Sequence, residues 1–400
     1  MPAAEPFPTV LYLHQYFRTP AEGGALRSWF VAEELTRQGA RVEMITAHDR
    51  PTYERRVFGE RLTVHYLPVP YANAFGPLAR VRAFLAYGWG ALRLAGRLVG
   101  EVAGLKVCFA TSTPLTVGVV ARLLCAWRGV AYVFEVRDLW PEAPIQLGYV
   151  RAAPLRWLLR GLERWIYEGA RHIVALSPGM VAGVCATGTA TPTTLVPNMA
   201  DTAAFQPAFA GTGGSAESFV ILYAGALGRA NRVTFLLDAA EATHRAGLSA
   251  VRFVVAGSGA EAEHLRMEVT QRALPNVRLV GTLDRAGIQA WRARAAASFT
   301  CFDVVPVLDT TSPNKFFEGL AAGALSITTT RGWLRELVET HQCGFGYDPR
   351  QPAEFVAKLR PLVADRARLR LAQENARRLA ETAFRRETLA AAVAGLILQP

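Results

Sequence analysis

Residues 10–46 read VLYLHQYFRTPAEGGALRSWFVAEELTRQGARVEMIT, and their order of patterns decides the fold. Val10-Leu11-Tyr12-Leu13 is an apolar run of strand length. A polar loop containing Gly23-Gly24 follows it. Leu26, Trp29, Phe30, Ala32 and Leu35 then recur at helical spacing, and Gly39 stands where a helix would stop. A second apolar run, 42–46, begins at once. Strand, loop, helix, strand is the right-handed crossover unit of a parallel sheet.

The alternation continues outward. Apolar runs at 106–111, 131–136 and 172–176 are separated by segments of helical length. Around 196–218 the pattern changes to a linker-like stretch with Pro197-Asn198, Pro207, Gly211, Gly213, Gly214 and Ser215. It then restarts with strand candidates at 219–224, 252–256, 277–280, 297–302 and 325–329, and helical patterns at 234–246 and 260–271 lie between them. Residues 365–398 read as helices rich in Arg and Ala. The pattern predicts an α/β chain of two doubly wound parallel sheets: a first domain over 1–205, a second over 206–380, and a last helix within 381–400 that has the first domain as its candidate packing partner.

Composition narrows the class. With 51% hydrophobic and 19% charged residues in 400, the chain is no disordered protein and has ample material for two cores. The 44 Lys+Arg against 33 Asp+Glu give a formal charge of +11, but only Lys106, Lys315 and Lys358 are lysines. Codon composition accounts for such an arginine bias, so the charge is not read as nucleic-acid binding; it favours anionic partners such as nucleotide phosphates and membrane headgroups. Cys108, Cys125, Cys185, Cys301 and Cys343 show no C-x-x-C spacing and read as thiols of a reducing compartment. Residues 1–8 lack the basic start of a secretory signal, and the uncharged run 173–200 is broken by Pro and Gly, so the reading is cytoplasmic. No Asp-x-Asp pair or His ligand spacing is present, and no metal cofactor is expected. A dinucleotide fingerprint, a Walker loop and a G-x-S-x-G elbow are also missing.

Ligands of such sheets sit at the carboxyl ends of strands, so the loops there hold the candidate chemistry. In the first loop, Gly23, Gly24 and Arg27, with His14 beside them, offer contact to an anion or a sugar; a plain turn before a helix is the alternative. In FEVRDLWPE, residues 134–142, a buried strand ends in ionisable groups. Glu135, Arg137 and Asp138 are the candidate catalytic residues, with Asp138 contacting an acceptor hydroxyl; an Arg–carboxylate network that anchors the loop is the alternative. In TSPNKFFEGLAAG, residues 311–323, Pro313 suits the first or second position of a helix whose start would present the N–H groups of Asn314 and Lys315 to a diphosphate. Ser312 precedes it, and Glu318, one turn further in, needs a partner that a ribose diol would supply. A half-buried capped helix is the alternative. Gly225 with Arg229 and Arg232, and Gly257 after the next strand, offer further phosphate contact; solvated loops are the alternative.

Together these stretches resemble the family 4 glycosyltransferases of GT-B fold, and within them the subgroup that adds amino or deoxy sugars in bacterial capsule, O-antigen and exopolysaccharide assembly. RDLWPEAPIQLG and SPNKFFEGLAAG carry the resemblance most specifically; HIVALSPGM, LVPNMADTAAF, ILYAGALGRANRVTFLLDAA, VVAGSGAE and VRLVGTLD follow the family order. The resemblance implies two Rossmann-like domains facing a central cleft, with the acceptor on the first and a nucleotide sugar on the second. It implies retaining, metal-independent transfer from a nucleoside diphosphate donor, UDP-sugar above others, to a lipid-linked saccharide. The second of the family's two glutamates coincides with Glu318, but Thr310 stands at the first. Ala226 and Asn231 stand where the wider family has the Arg and Lys of its diphosphate clamp, leaving Lys315, Arg229 or Arg232 to supply the charge. The family's histidine falls at Arg137 and its neighbouring acid at Asp138. A UDP-sugar epimerase of the same fold and a non-catalytic nucleotide-sugar-binding protein are the competing readings.

Two stretches bear on location. Residues 78–99 carry Arg80, Arg82, Arg93 and Arg97 among Phe84, Leu85, Tyr87, Trp89, Leu92, Leu94 and Leu98. Residues 155–167 carry Arg156, Arg160 and Arg164 beside Trp157, Leu158, Leu162 and Trp165. Arginine among Trp and Leu suits a helix lying on an anionic bilayer, here the inner face of the cytoplasmic membrane; two ordinary core helices are the alternative.

Overall fold

The unit at the start of the chain is β1 (Thr9–Leu13), α1 (Arg27–Arg37) and β2 (Arg41–His48), with β1 and β2 parallel and Val10 opposite Val42. All five residues of β1 are fully buried, the environment its apolar run requires. A computed structural model describes residues 8–72, 75–207 and 218–399, so Gly211, Gly213, Gly214 and Ser215 of the expected linker lie outside the described residues. The chain divides into two units, residues 1–197 with 387–400, and residues 198–386.

In the first unit, β3 (Glu54–Phe58) and β4 (Leu62–Pro68) precede α2 (Pro77–Glu101). Then come β5 (Leu105–Thr111), α3 (Thr116–Arg128), β6 (Ala131–Val136), α4 (Glu142–Gln146), α5 (Ala153–Gly169), β7 (His172–Ala175), α6 (Pro178–Ala186) and β8 (Thr193–Leu195). The sheet order is β3-β4-β2-β1-β5-β6-β7-β8, parallel except for the β3 edge. Neither β3 nor β4 stands out in the sequence. Strand β3 is a charged edge, Glu-Arg-Arg-Val-Phe, and β4 buries Thr63 and His65 among its apolar residues. His65 is affordable there because its Nε2 meets Glu43 at 2.8 Å and its Nδ1 meets the Tyr53 hydroxyl at 2.7 Å.

The second unit runs β9 (Phe219–Ala224), α7 (Thr234–Arg245), β10 (Val251–Ala256), α8 (Ala262–Gln271), β11 (Val277–Gly281), α9 (Arg285–Arg294) and β12 (Ala297–Thr300). It continues through α10 (Asn314–Ala321), β13 (Leu325–Thr328), α11 (Trp333–Thr340), β14 (Gly344–Gly346), α12 (Pro352–Ala364) and α13 (Arg366–Thr382). Its sheet is wholly parallel in the order β11-β10-β9-β12-β13-β14. Phe253, Phe299, Tyr347 and Phe355 pack ring on ring beneath it, with centroids 5.1–6.3 Å apart. The last helix, α14 (Arg386–Leu398), belongs to the first unit from Glu387 onward. Arg171 caps it, donating to the carbonyls of Leu396 at 3.2 Å and Ile397 at 2.9 Å.

Both sheets therefore have the doubly wound order in which the direction of winding reverses once. The reversal falls between β1 and β5 in the first unit and between β9 and β12 in the second. Such switch points are where open α/β sheets bind ligands, just beyond the carboxyl ends of the strands. Among the described residues no helix is long and apolar enough to cross a membrane.

Candidate functional site

Beside the second unit's switch point, on its β9 side, two glycine loops lie against each other. Ladder bonds continue past the sheet, from Gly225 N–H to the Ala256 carbonyl at 3.0 Å and from Leu227 N–H to that of Ser258 at 2.9 Å. Gly257 has φ +147°, and a Cβ there would stand 1.9 Å from the Gly225 carbonyl oxygen. Only glycine fits, so the two loops after β9 and β10 form one fixed surface. Gly225 serves a different neighbour: a Cβ there would lie 3.2 Å from Lys315 Cε.

Lys315 reaches this surface from the first turn of α10. Pro313, expected at the first or second helical position, is the residue before it, with φ −80° and ψ 135°, and the helix begins at Asn314. That extended ψ takes Pro313 out of the helix while its fixed φ still guides the chain in. The first-turn N–H groups of Asn314 and Lys315 have no helical carbonyl behind them, and no acidic residue occupies that turn. Ser312 is engaged elsewhere: its Oγ accepts from Asn198 N–H at 3.3 Å and its carbonyl accepts from the Asn198 side-chain amide.

The Lys315 ammonium donates to the Tyr223 hydroxyl at 2.9 Å and to Asn231 Oδ1 at 2.7 Å. It lies 4.3 Å from the Tyr223 ring centroid and 5.1 Å from that of Phe302. Burial pushes it down to about 8. Of the arginines named with it, Arg229 is exposed, and Arg232 sits at φ 41°, half exposed, 3.5 Å from Asp303. Lys315 is the cation the fold brings to Gly225.

Glu318 is not waiting for a partner. Its Oε2 accepts from Arg292 at 2.9 Å, and among the described residues none hydrogen-bonds Oε1. Arg292 is 2% exposed and also donates to Ser298 Oγ at 3.1 Å and the Lys315 carbonyl at 3.2 Å, so it fastens the start of α10 to α9 and β12. Nothing in the sequence marked Arg292, and Asn231 stood out only as a departure from the family's diphosphate clamp.

In the first unit two of the candidates pair with each other. Arg27 and Glu135 are 1% and 0% exposed and pair at 2.8 Å. Glu135 also accepts from the Thr111 hydroxyl, and Arg27 donates to the carbonyls of Val196, at 2.9 Å, and Pro197. Both carboxylate oxygens of Glu135 and all three guanidinium nitrogens of Arg27 thus make an internal hydrogen bond, which favours the persistence of a buried ion pair. Arg27, a candidate for anion or sugar contact, and Glu135, a candidate catalytic group, are thus turned on each other and tie α1 and β6 to the segment after β8, an arrangement that suits an anchoring network. The sequence does not show this pairing, because the partners are 108 residues apart and the charges alone do not show which way they turn.

Three other candidates do converge. His14, just past β1, is 3% exposed, and its Nε2 lies 3.4 Å from Arg137 NH1. Burial first, and the Arg137 charge second, hold its imidazole neutral, well below the usual range. Arg137 N–H donates to Ser112 Oγ at 3.0 Å, joining the loops after β5 and β6. Asp138 is half-buried, and its surroundings push its carboxyl up to about 6 against the pull of Arg137. Gly23 and Gly24 adopt φ +68° and +86°, which explains the glycine pair as a turn; a Cβ on Gly23 would meet nothing within 4 Å.

Residues 22–199 match the family model described as the glycosyl transferase 4-like domain, and residues 218–365 match that of the glycosyl transferases group 1. The chain belongs to the family 4 glycosyltransferases. Solved structures of GT-B glycosyltransferases share its architecture. Sucrose-phosphate synthase from Thermosynechococcus elongatus superposes with a TM-score of 0.79 at 18% identity, covering 97% of this chain and 98% of the other. HepE from Anabaena, solved in complex with UDP and glucose, gives 0.70 at 17%, covering 98% and 99%. WaaG, a glycosyltransferase involved in lipopolysaccharide biosynthesis, gives 0.69 at 14%, covering 98% and 100%. No curated protein matches the sequence itself. In this glycosyltransferase the start of α10, with Lys315 and Glu318, stands at the second unit's switch point. His14, Arg137 and Asp138 stand at the carboxyl ends of β1 and β6 in the first.

Proposed function

We propose that the enzyme moves a sugar from a nucleoside diphosphate donor, UDP-linked before others, to a lipid-linked saccharide in bacterial surface polysaccharide synthesis, with retention and without a metal ion. The observation that carries the donor half is the Lys315 ammonium, held by neutral groups beside the open first turn of α10. A leaving diphosphate develops charge as the glycosidic bond breaks, and fixed N–H groups plus a cation stabilise it most when already in place. Glu318 Oε1, its other oxygen held by Arg292, accepts a ribose hydroxyl. The sugar passes through an oxocarbenium-like state, and the acceptor hydroxyl enters from the face the diphosphate leaves. Asp138 contacts that hydroxyl.

HepE, of the same fold, was solved with UDP and glucose, which supports a UDP-linked donor, and WaaG, of the same fold, is involved in lipopolysaccharide biosynthesis, which supports a lipid-linked acceptor. The membrane half rests on α2 and α5. Helix α2 buries Tyr87, Leu94 and Leu98 but exposes Leu78, Val81, Leu85 and Trp89, and α5 exposes Leu155, Trp157 and Leu158. Arg82, Arg93, Arg97 and Arg160 are exposed on the same helices. Exposed apolar side chains flanked by arginines fit an anionic lipid surface.

Binding of UDP-, GDP- and TDP-sugars, repeated on Lys315→Ala and Glu318→Ala, tests the donor half: unchanged affinity in either variant removes that residue from the site. Asp138→Ala should abolish transfer while donor binding persists, and full turnover in that variant would reject its role.

A further inference from the structure

Lys315 is held in an unusual way for a half-buried cation. Its side-chain hydrogen bonds go to two neutral oxygens, one on β9 and one in the loop that follows. The charged and titratable groups that face it are the Tyr223 hydroxyl from β9, the Cys301 thiol just past β12, Arg292 from α9 and Glu318 from its own helix. Among the described residues no carboxylate pairs with Lys315, and the nearest in sequence, Glu318, is paired with Arg292. Arg292 thereby removes the one anion that the next turn of α10 would offer.

The two holders are themselves fixed. The Tyr223 hydroxyl gives its single proton to the Ala226 carbonyl at 2.7 Å, so toward Lys315 it can only accept. Asn231 ends the short turn Arg229–Asn231, which Asp303 N–H pins through the Ala230 carbonyl at 2.8 Å. The faces of Tyr223 and Phe302 add attraction for a cation without cancelling its charge. An ammonium has three donors, and these contacts use two.

We propose that Tyr223 and Asn231 are positioning residues forming a charge-neutral cradle, which aims the Lys315 ammonium at the donor's diphosphate and leaves its charge uncompensated until the donor arrives. The inference rests on the donor reading given above. The neutrality of the holders is its distinctive content: a carboxylate at 231 would grip the ammonium more firmly and yet spoil the site, because the incoming diphosphate would meet a cation already paired.

The test is calorimetric titration with UDP from pH 7 to 9.5, on the wild type, Asn231→Ala, Asn231→Asp and Tyr223→Phe, with uridine as the phosphate-free control. In the wild type, affinity should fall above about pH 8, where binding requires the ammonium to take up a proton. Asn231→Ala and Tyr223→Phe should each weaken UDP roughly tenfold at pH 7.5 and move the break to lower pH, because the ammonium loses an acceptor. Asn231→Asp should weaken UDP at least as much, move the break to higher pH, and leave the melting temperature unchanged or raised. Uridine affinity should stay within about twofold throughout. Opposite shifts of the break in Asn231→Ala and Asn231→Asp, both with weaker UDP, support the cradle. UDP affinities within twofold of wild type, an Asn231→Asp variant that binds UDP more tightly, or equal losses for uridine and UDP overturn it. Failure of the donor reading would show separately, as no nucleoside diphosphate binding by the wild type or full UDP affinity in Lys315→Ala, and would take the cradle with it.

Discussion

Replacing Glu135 by Ala should cost stability, and it is the sharpest way to separate an anchoring role from a catalytic one. Glu135 and Arg27 are shielded from water and pair at 2.8 Å. Removing the carboxylate strands a guanidinium in the interior, which costs about 3–5 kcal/mol, whereas replacing both partners by apolar residues of similar size is often nearly neutral. Arg27 also serves the Val196 and Pro197 carbonyls, and in an Arg27→Met/Glu135→Leu double variant each would lose a donor at about 1–3 kcal/mol. The double variant should therefore lie between the wild type and the sum of the single losses. For units of this size the Glu135→Ala loss corresponds to a melting shift of roughly 6–20 °C. Thermal unfolding followed by near-UV circular dichroism gives the stability, and UDP binding reports whether the second unit is intact. A Glu135→Ala protein that melts with the wild type but transfers no sugar would refute the reasoning and return Glu135 to the catalytic set.

Gly257→Ala should lose donor binding, since the added Cβ would stand 1.9 Å from the Gly225 carbonyl and push apart the loops that face Lys315; a titration matching wild type would contradict the close approach. Transfer should fall as pH drops through about 6, where the Asp138 carboxylate takes a proton, and Asp138→Asn should be slow with that acid limb flattened. The same raised value means the folded state holds this proton more tightly than the unfolded chain, so the contribution of Asp138 to stability declines as pH rises from about 4 to 6. Trp89→Ser with Trp157→Ser should reduce sedimentation with anionic vesicles at least several-fold, more so at high salt, and leave UDP affinity intact; undiminished vesicle binding would remove α2 and α5 from the membrane reading.

What could be read from the chain follows from how local each signal is. The β1–α1–β2 unit was legible because its apolar residues change period from strand to helix and back within residues 10–46. Five of the six strands of the second sheet fell within a residue or two of their expected bounds for the same reason, being apolar runs, whereas the three-residue β14, Gly-Phe-Gly, offered no such run and was not expected. Strands β3 and β4 were missed because a charged edge strand and buried Thr63 and His65 do not look apolar. Lys315 stood out by composition, one of three lysines in an arginine-rich chain. Arg292 did not, because a buried arginine reads the same as its neighbour Arg294, and its bonds to Ser298, Lys315 and Glu318 exist only once α9, β12 and α10 are assembled. Asn231 stood out only as a departure from the family's clamp, and its bond and that of Tyr223 to Lys315 exist only once β9, the loop after it and α10 are assembled.

A crystal structure of the enzyme with UDP would show where the donor's diphosphate sits. The diphosphate oxygens should lie within hydrogen-bond reach of Lys315 Nζ and of the N–H groups of Asn314 and Lys315, with a ribose hydroxyl on Glu318 Oε1. Nucleotide bound at the Gly23–Gly24 turn or anywhere else, with Lys315 still bonded only to Tyr223 and Asn231, would contradict that placement.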